Sequence, residues 1–459
     1  MLNRRRFLAA TAGFAAGGLA LPRVHAASAL GGVDLTAMRG SINASELGVH
    51  PGAFDNQSKA FARMLAKAAE TDTPVFMPPG TYAISNITLP SRVRLSGVPG
   101  ATRLVYAGDG HLLAAENAGH IEFTGLVFDG ANRWLGDNVQ GLIDMRGVAH
   151  FVLDNCQVMG SGKNGVSLER VSGRIERSEI TGAADAGIFS VEARRLQISA
   201  NTVADCGNGG ILVHRWQPGE DGTIVTGNRV ERILARNGGT GQFGNGINIF
   251  RAGNVIVSGN QVADCAFSAI RSNSGSNIQM SGNTCLRSGE TALYSEFAFE
   301  GAVISNNIVD GGANGISVVN FNEGGRMSIV SANLVRNLSE TGPYPADSPG
   351  FGIGISVEAD TSVTGNVVEN APLFGMQFGW GPYLRNVVAT GNIIRNAGEG
   401  IAVSVVEGTG ATVISDNIID GARRGAIIGH RWAAAVTGDL AAEGAEVFPG
   451  LTVERNRVS

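Results

Sequence analysis

The sequence predicts an all-β protein, a right-handed parallel β-helix (solenoid) of about twelve or thirteen rungs, on three observations. A phrase of the form V-T/S-G-N-x-V recurs, a second phrase, Gly-Ile-x-Val, falls between its copies, and no helical period competes over residues 100–459. The first phrase reads "VTGNRV" at Asn228, "VSGNQV" at Asn260, "MSGNTC" at Asn283, "ISNNIV" at Asn307 and "VSANLV" at Asn333. It continues as "VTGNVV" at Asn366, "ATGNII" at Asn392, "ISDNII" at Asn417 and "VERNRV" at Asn456. Asn201, Ser178 and Cys156 hold the same slot upstream, and most spacings are 22 to 27 residues. The second phrase appears at Gly165, Gly187, Gly210, Gly246, Gly315, Gly354 and Gly400.

Each unit therefore carries short strands of alternating polarity joined by Gly and Asn turns. A strand that short cannot bury a face by itself, so the units must stack. Asn suits a fixed slot for two reasons: it tolerates a left-handed backbone, and stacked amides bond to the rungs above and below. A leucine-rich repeat would need helices and a Leu consensus, and neither is present.

The N-terminal part reads as a cap. In "DNQSKAFARMLAKAAE", Phe61, Met64, Leu65 and Ala68 fall at i, i+3, i+4, i+7, an amphipathic helix. "TPVFMPPGTYAISNITL" then supplies the first strands. In this stretch the chain resembles the pectate-lyase superfamily of β-helix proteins, in which a capping helix precedes a "PPGTY"-like strand. As a whole it also resembles twin-arginine-exported repeat proteins of unassigned activity. The resemblance implies the fold for nearly the whole chain and little about activity.

Residues 1–29 are an address. Arg4, Arg5 and Arg6 precede Phe7-Leu8, a weakly apolar Ala/Gly/Leu stretch and a cleavage site near Ala26 or Ala29. This resembles a twin-arginine export signal, with Asn3 where that family has Ser or Thr, and it implies the twin-arginine translocase as a partner and a periplasmic or secreted destination. The apolar run is too short for a membrane span, and no other segment is long enough. The expected organisation is 1–29 signal, 30–100 cap with helix and first strands, and 101–459 repeats.

The chain has 459 residues, 66 of them Gly, and 16% charged side chains. Losing residues 1–26 removes four Arg and no acid, moving the formal charge from −5 to −9. So acidic a domain is a poor nucleic-acid binder. Cys156, Cys206, Cys265 and Cys285 are even in number, yet Cys206 and Cys265 share one slot two rungs apart, about 10 Å. A disulfide needs Cα atoms within roughly 7 Å, so four buried thiols are expected.

His-Arg-Trp occurs at His214 and again at His430. Eight rungs, on the order of 40 Å, separate the two, so they cannot form one site. They count four and five places beyond their Gly slots (Gly210 and Gly425), and read as surface turns echoing the repeat.

A solenoid binds along an exposed face, so outward positions of Gly-Ile-x-Val-x are the informative ones. At the chain's ends they read Ile143, Phe189, Leu212, Ala402 and Ile427; in the middle they turn polar. One column there runs Asn248, Arg271, Tyr294, Ser317, Ser356, Gln377, and the next runs His214, Phe250, Asn273, Glu296, Val319, Glu358, with Arg251 and Asn320 one step outside. The interval from Asn slot to Gly slot, normally eight or nine residues, grows to 18 before Gly246 and 21 before Gly354. These insertions, 229–245 and 334–353, are expected to wall an open trough over four or five rungs.

Arg271, Tyr294, Glu296 and Glu358 are the candidate catalytic residues, with His214, Asn248, Arg251, Asn273, Asn320 and Gln377 binding substrate. Glu296 and Glu358 stand two rungs apart, about 9.6 Å, at the edge of the separation for inverting hydrolysis. β-Elimination from a uronate would use Tyr294 or Arg271 as base and charge neutraliser. The motifs of polygalacturonases (Asn-Thr-Asp, Gly-His-Gly), pectate lyases (Trp-x-Asp-His) and mannuronan epimerases (Asp-Pro-His-Asp) are missing, so no family active site transfers. The sequence contains no metal-ligand spacing and no phosphate loop, and implies no cofactor. Two readings stay open: a polysaccharide lyase or inverting hydrolase, and a non-catalytic glycan-binding or cell-envelope protein, each with a polysaccharide or oligosaccharide ligand.

The last expectation is a cap. The Ala-rich stretch 425–456 should fold over the final rung, with Trp432 and Phe448 as its apolar plugs.

Overall fold

The computed structural model describes residues 40–53, 55–319 and 326–459; the expected signal and Asn320 lie outside the described residues. The chain is a parallel β-helix with three strand faces per rung. Face one precedes each Asn slot (Ile224–Thr226, Ile256–Ser258), face two follows it (Arg229–Glu231, Gln261–Ala263), and face three carries the Gly-Ile-x-Val phrase (Asn245–Gly253). Face one stacks sixteen strands in one sheet. The stack is longer than twelve or thirteen rungs because the cap region joins it: Ile42–Asn43, Val75–Phe76 and Arg92–Ser96 pair in parallel at its start.

The Asn slot is a continuous buried ladder. Each Oδ1 accepts from the backbone N–H and the Nδ2 of the Asn one rung earlier, so that Asn228 Oδ1 is 3.0 Å from both nitrogens of Asn201. The pattern repeats to Asn417 and Asn456, and each Nδ2 also donates to a carbonyl, as from Asn333 to Ile304 at 3.0 Å. Ser178 and Cys156 continue it upstream, as the repeat predicts. The left-handed backbone, however, falls one residue earlier than expected, on Gly227 (φ 64°), Gly259 (φ 63°), Asn306 (φ 57°) or Ala332 (φ 53°). The preceding residue makes the corner, and Asn closes the hydrogen bonds that the corner leaves open.

Helix α1 (Ser58–Glu70) buries Phe61, Met64, Leu65 and Ala68 against the first rungs. One apolar core runs on from there to Leu440. All four cysteines are buried and unbridged, and burial pushes the Cys156, Cys206 and Cys265 thiols up to about 12.

At the far end Ile427–Arg431 turns back on Ala434–Asp439 in an antiparallel hairpin, followed by a short helix, Leu440–Glu443. The apolar plug is Leu440, with Phe448 packed partly against the core beside it. Trp432 does not plug the core: it is 48% exposed and lies edge-on to Trp380, ring centroids 5.7 Å apart. A hairpin needs its turn residues outside the rung, and Trp432, at φ 55°, is one of them.

Candidate glycan-binding cleft

Strand pairing fixes what lines up on face three. Leu212, Asn248, Arg271, Tyr294 and Ser317 form one outward column, and His214, Phe250, Asn273, Glu296 and Val319 the next. Ile143 and Ile427 are core residues, and the outward positions are Asp144 and Ile428. The same register corrects the histidines. Ile401 pairs with Ile427, which puts Ala426 in the Gly slot and His430 four places beyond it, the position His214 holds relative to Gly210. The two triplets are echoes in register, since Gly425 (φ 136°) belongs to the turn.

The outer columns are not an open trough. Glu296 and Glu358 are each 3% exposed, and Asn248, Ser317 and Gln377 are also buried. The two long insertions close over the face. From the first, Gly241 lies so near Arg271 Nη1 that a side chain there would overlap it. From the second, Tyr344 donates to Glu290 Oε1 at 2.5 Å and stands between Phe267 and Phe351, with centroids at 6.1 and 5.5 Å.

Under this cover Arg271, Tyr294 and Glu296 are committed to one another, while Glu358 lies two rungs away from Glu296. Glu296 Oε1 accepts from Arg271 Nε and Nη2, both at 2.7 Å, and from Asn273 Nδ2 at 2.9 Å. Arg271 Nη1 lies 3.9 Å from Glu290, and the guanidinium sits 5.2 Å from the Tyr294 ring. Burial opposes the charge on Arg271, yet Glu296 and Glu290 together hold its pKa above the ordinary value. Burial, aided by Glu296, raises the Tyr294 hydroxyl well above its usual range. Glu290 was not among the sequence candidates. Burial raises its carboxyl too, against hydrogen bonds from Tyr344 and Ser268. Its only signal was an acid in "SGET", at the irregularity within the strand Thr284–Glu296, and its partner Tyr344 is 54 residues away.

What stays open is a cleft of about 430 Å³ at one end of the polar face, between residues 240–243 and a floor of His214, Asn248, Phe250, Arg271 and Asn273. His214 Nε2, Asn248 Oδ1 and Arg271 Nη1 are all buried without a hydrogen-bond partner among the described residues. His214 stands edge-on between Phe189 and Phe250, centroids at 5.4 and 5.6 Å, and burial lowers its pKa to about 4. Thus it is neutral at neutral pH. Arg251 leaves this floor: it lies 4.7 Å from the Phe250 ring, donates to Trp216 O at 2.7 Å and lines a neighbouring cleft with Asn254 and Asn277. Gln377 accepts from Ser356 Oγ at 3.5 Å, four rungs away from Asn273. No group of three His, Cys, Asp or Glu able to hold a metal occurs among the described residues.

The family described as "Right handed beta helix region" matches residues 141–334. Among solved structures, the chain is similar to the pre-mature gene product 12 of bacteriophage phi29, at TM-score 0.54 and 14% identity over 86% of this chain and 70% of that one. It also matches the catalytic unit of a GH87 α-1,3-glucanase from Streptomyces thermodiastaticus, TM-score 0.48, 15% identity, 92% and 69% of the two chains. A third match is a mannuronan C-5 epimerase A-module from Azotobacter vinelandii, TM-score 0.46, 14% identity, 91% and 99%. The family match and the likeness to gene product 12 establish the right-handed β-helix fold. No curated protein matches the chain in sequence.

Proposed function

We propose that this protein is an exported binder of a neutral glycan, held in the cleft between residues 240–243 and face three. The observation that carries the reading is the trio of unpartnered polar atoms, His214 Nε2, Asn248 Oδ1 and Arg271 Nη1, beside the Phe250 ring. Each such atom costs about 1–3 kcal/mol while unpaired. A sugar offers hydroxyls that both donate and accept, together with an apolar face for the ring. Small rotations of the His214 ring and the Asn248 amide turn their polar atoms into the opening.

Charge selects a neutral ligand. The positive charge of Arg271 is already matched by Glu296 and faced by Glu290, so a uronate carboxylate would meet a surplus of negative charge. The same pairing weakens the lyase reading, because Arg271 has no charge to spare and Tyr294 resists deprotonation. Glu296 and Glu358, the pair required for inverting hydrolysis, are both buried. One observation still favours catalysis: Glu290, whose carboxyl is raised by burial, lies 3.9 Å from Arg271, a residue of the cleft's floor.

Titration calorimetry with neutral and uronate oligosaccharides tests the reading. A neutral oligosaccharide should bind, and Asn248→Ala and His214→Ala should each weaken it about tenfold. Reducing ends or an unsaturated-uronate absorbance appearing in the same mixtures would restore the enzyme. Export through the twin-arginine route belongs to the same proposal: replacing Arg4 and Arg5 with Lys should leave precursor in the cytoplasm.

A further inference from the structure

The outward residues of face one repeat at two positions per rung, and the parallel ladder fixes their register. The position nearer the Asn corner carries a hydroxyl in every rung from Ser199 to Ser415. The other position, read from Ile224 to Val413 over eight rungs, is a chemical palindrome about its midpoint. At the centre Val303 neighbours Ile329, and on either side stand the only two polar members, Gln279 and Ser362. Beyond them come Ile256 and Val388, then Ile224 and Val413, all aliphatic.

Around the Asn corner, the first outward position of face two changes from Gln261 and Thr284 to Ile308, Leu334, Val367 and Ile393. Over the six rungs from Asn260 to Asn392 no charged side chain occupies either face-one position, the corner residue or this face-two position. Charge returns only at the two ends, as Arg229 and Asp416. Ile308, Ile329, Val388 and Ile393 are exposed there, which is unusual on a surface otherwise laced with Arg–carboxylate pairs such as Arg336–Asp310 and Arg395–Glu369.

We infer that this corner is the interface of an antiparallel, two-fold homodimer. A two-fold axis through the midpoint, perpendicular to the solenoid, sets Val303 of one copy against Ile329 of the other, Gln279 against Ser362, and Ile256 against Val388. Every face-one position then meets its own chemical kind, and the rung of Arg229 meets that of Asp416. A two-fold contact requires such self-complementarity, and a parallel pairing would oppose Gln279 to itself without using the symmetry. Two acidic chains approach at least electrostatic cost where neither carries charge. With rungs ~4.8 Å apart the patch covers roughly 600 Å² per copy, so a pair buries about 1,200 Å², the low end of specific interfaces. The dimer is therefore reversible. The cleft on face three lies away from this corner and stays open.

Sedimentation equilibrium on the purified chain, from low micromolar to several hundred micromolar, tests the proposal. The mean mass should rise towards twice that of one chain. Ile256→Glu and Val388→Lys each place a charge on an exposed or half-exposed position, so both should fold normally, judged by circular dichroism and melting, yet remain monomeric. The double variant I256E/V388K should dimerise again, because each new carboxylate faces the new ammonium of the other copy, five rungs from the one in its own chain. A single-chain mass at all concentrations would overturn the inference, as would single variants that still dimerise or a double variant that stays monomeric. A monomer that adsorbs instead to flat insoluble polysaccharide through these residues would also overturn it, assigning the corner to a polymer.

Discussion

His214 and His430 occupy the same position of the rung eight rungs apart, and their surroundings give them opposite characters. His214 stands between Phe189 and Phe250 with Nε2 buried and unpaired, whereas His430 Nε2 lies 2.7 Å from Glu399 Oε2, a carboxylate also bound by Arg424 at 3.1 Å. Burial alone would raise Glu399, but His430 and Arg424 hold it below its usual value. One slot is an aromatic ladder beside the cleft, and the other is a polar clamp beneath the terminal hairpin.

The first prediction concerns pH. Burial lowers the folded pKa of His214 to about 4 from 6.5, so between those values the unfolded chain binds more protons. Stability should therefore fall as pH drops from 6.5 towards 4, by about 3 kcal/mol from this group. Denaturant melts at pH 7 and pH 4.5 should show a smaller difference in His214→Gln than in the parent chain. An unchanged difference would place the ring in water.

The second concerns the Asn ladder. Asn333→Ala takes the acceptor from the Asn307 backbone N–H and from one hydrogen of its Nδ2, and a donor from the Ile304 carbonyl and from Asn366 Oδ1, all in a dry core. Each unsatisfied group costs about 1–3 kcal/mol, so the loss should reach several kcal/mol, read as a lower thermal midpoint and as faster hydrogen exchange in the adjoining rungs. Replacing an outward hydroxyl such as Ser331 by Ala should change the midpoint little.

The third concerns the second insertion. Tyr344→Phe keeps the ring contacts with Phe267 and Phe351 but removes the hydrogen bond to Glu290, a buried carboxylate. The change should cost about 1–3 kcal/mol and expose residues 339–350 to limited proteolysis while the rungs stay protected. Equal protection of that segment in both proteins would show that aromatic packing alone secures it.

The fourth sets the plug found at the C-terminal end, Leu440, against one expected from the sequence, Trp432. Leu440→Ala should cost about 2–5 kcal/mol of local stability, seen as faster exchange at Ile401–Val403. Trp432→Ala removes a half-exposed ring resting on Trp380 and should cost about 1 kcal/mol. The reverse order would return the capping role to Trp432.

How much of this was legible in the sequence follows from the distance over which each feature is decided. Helix α1 and its buried face could be read directly, because four apolar residues at helical spacing settle both. The Asn slot was equally plain, since a buried amide that bonds to its copies above and below must recur once per rung. Register was harder. Counting from Gly425 displaced His430 and Ile427 by one place, and a single residue turns a strand's side chains to the other face. Only pairing with Ile401 shows that Ala426 holds the slot.

By itself, then, the sequence determined the repeat, the rung and the polar character of face three, because those are periodic and a period survives without coordinates. Tertiary structure alone decided which polar residues remain available. Arg271 and Glu296, 25 residues apart, are neighbours in the repeat, but nothing in the repeat announces that Tyr344 and Glu290, 54 apart, pair beside them. Their pairing spends the charges expected to do chemistry and leaves a polar atom each of Asn248, His214 and Arg271 buried and unpaired among the described residues, in the lining of a cleft. The physical reason is that a buried charge must find a partner, and which partner lies within reach depends on how two irregular loops fold back over a regular sheet.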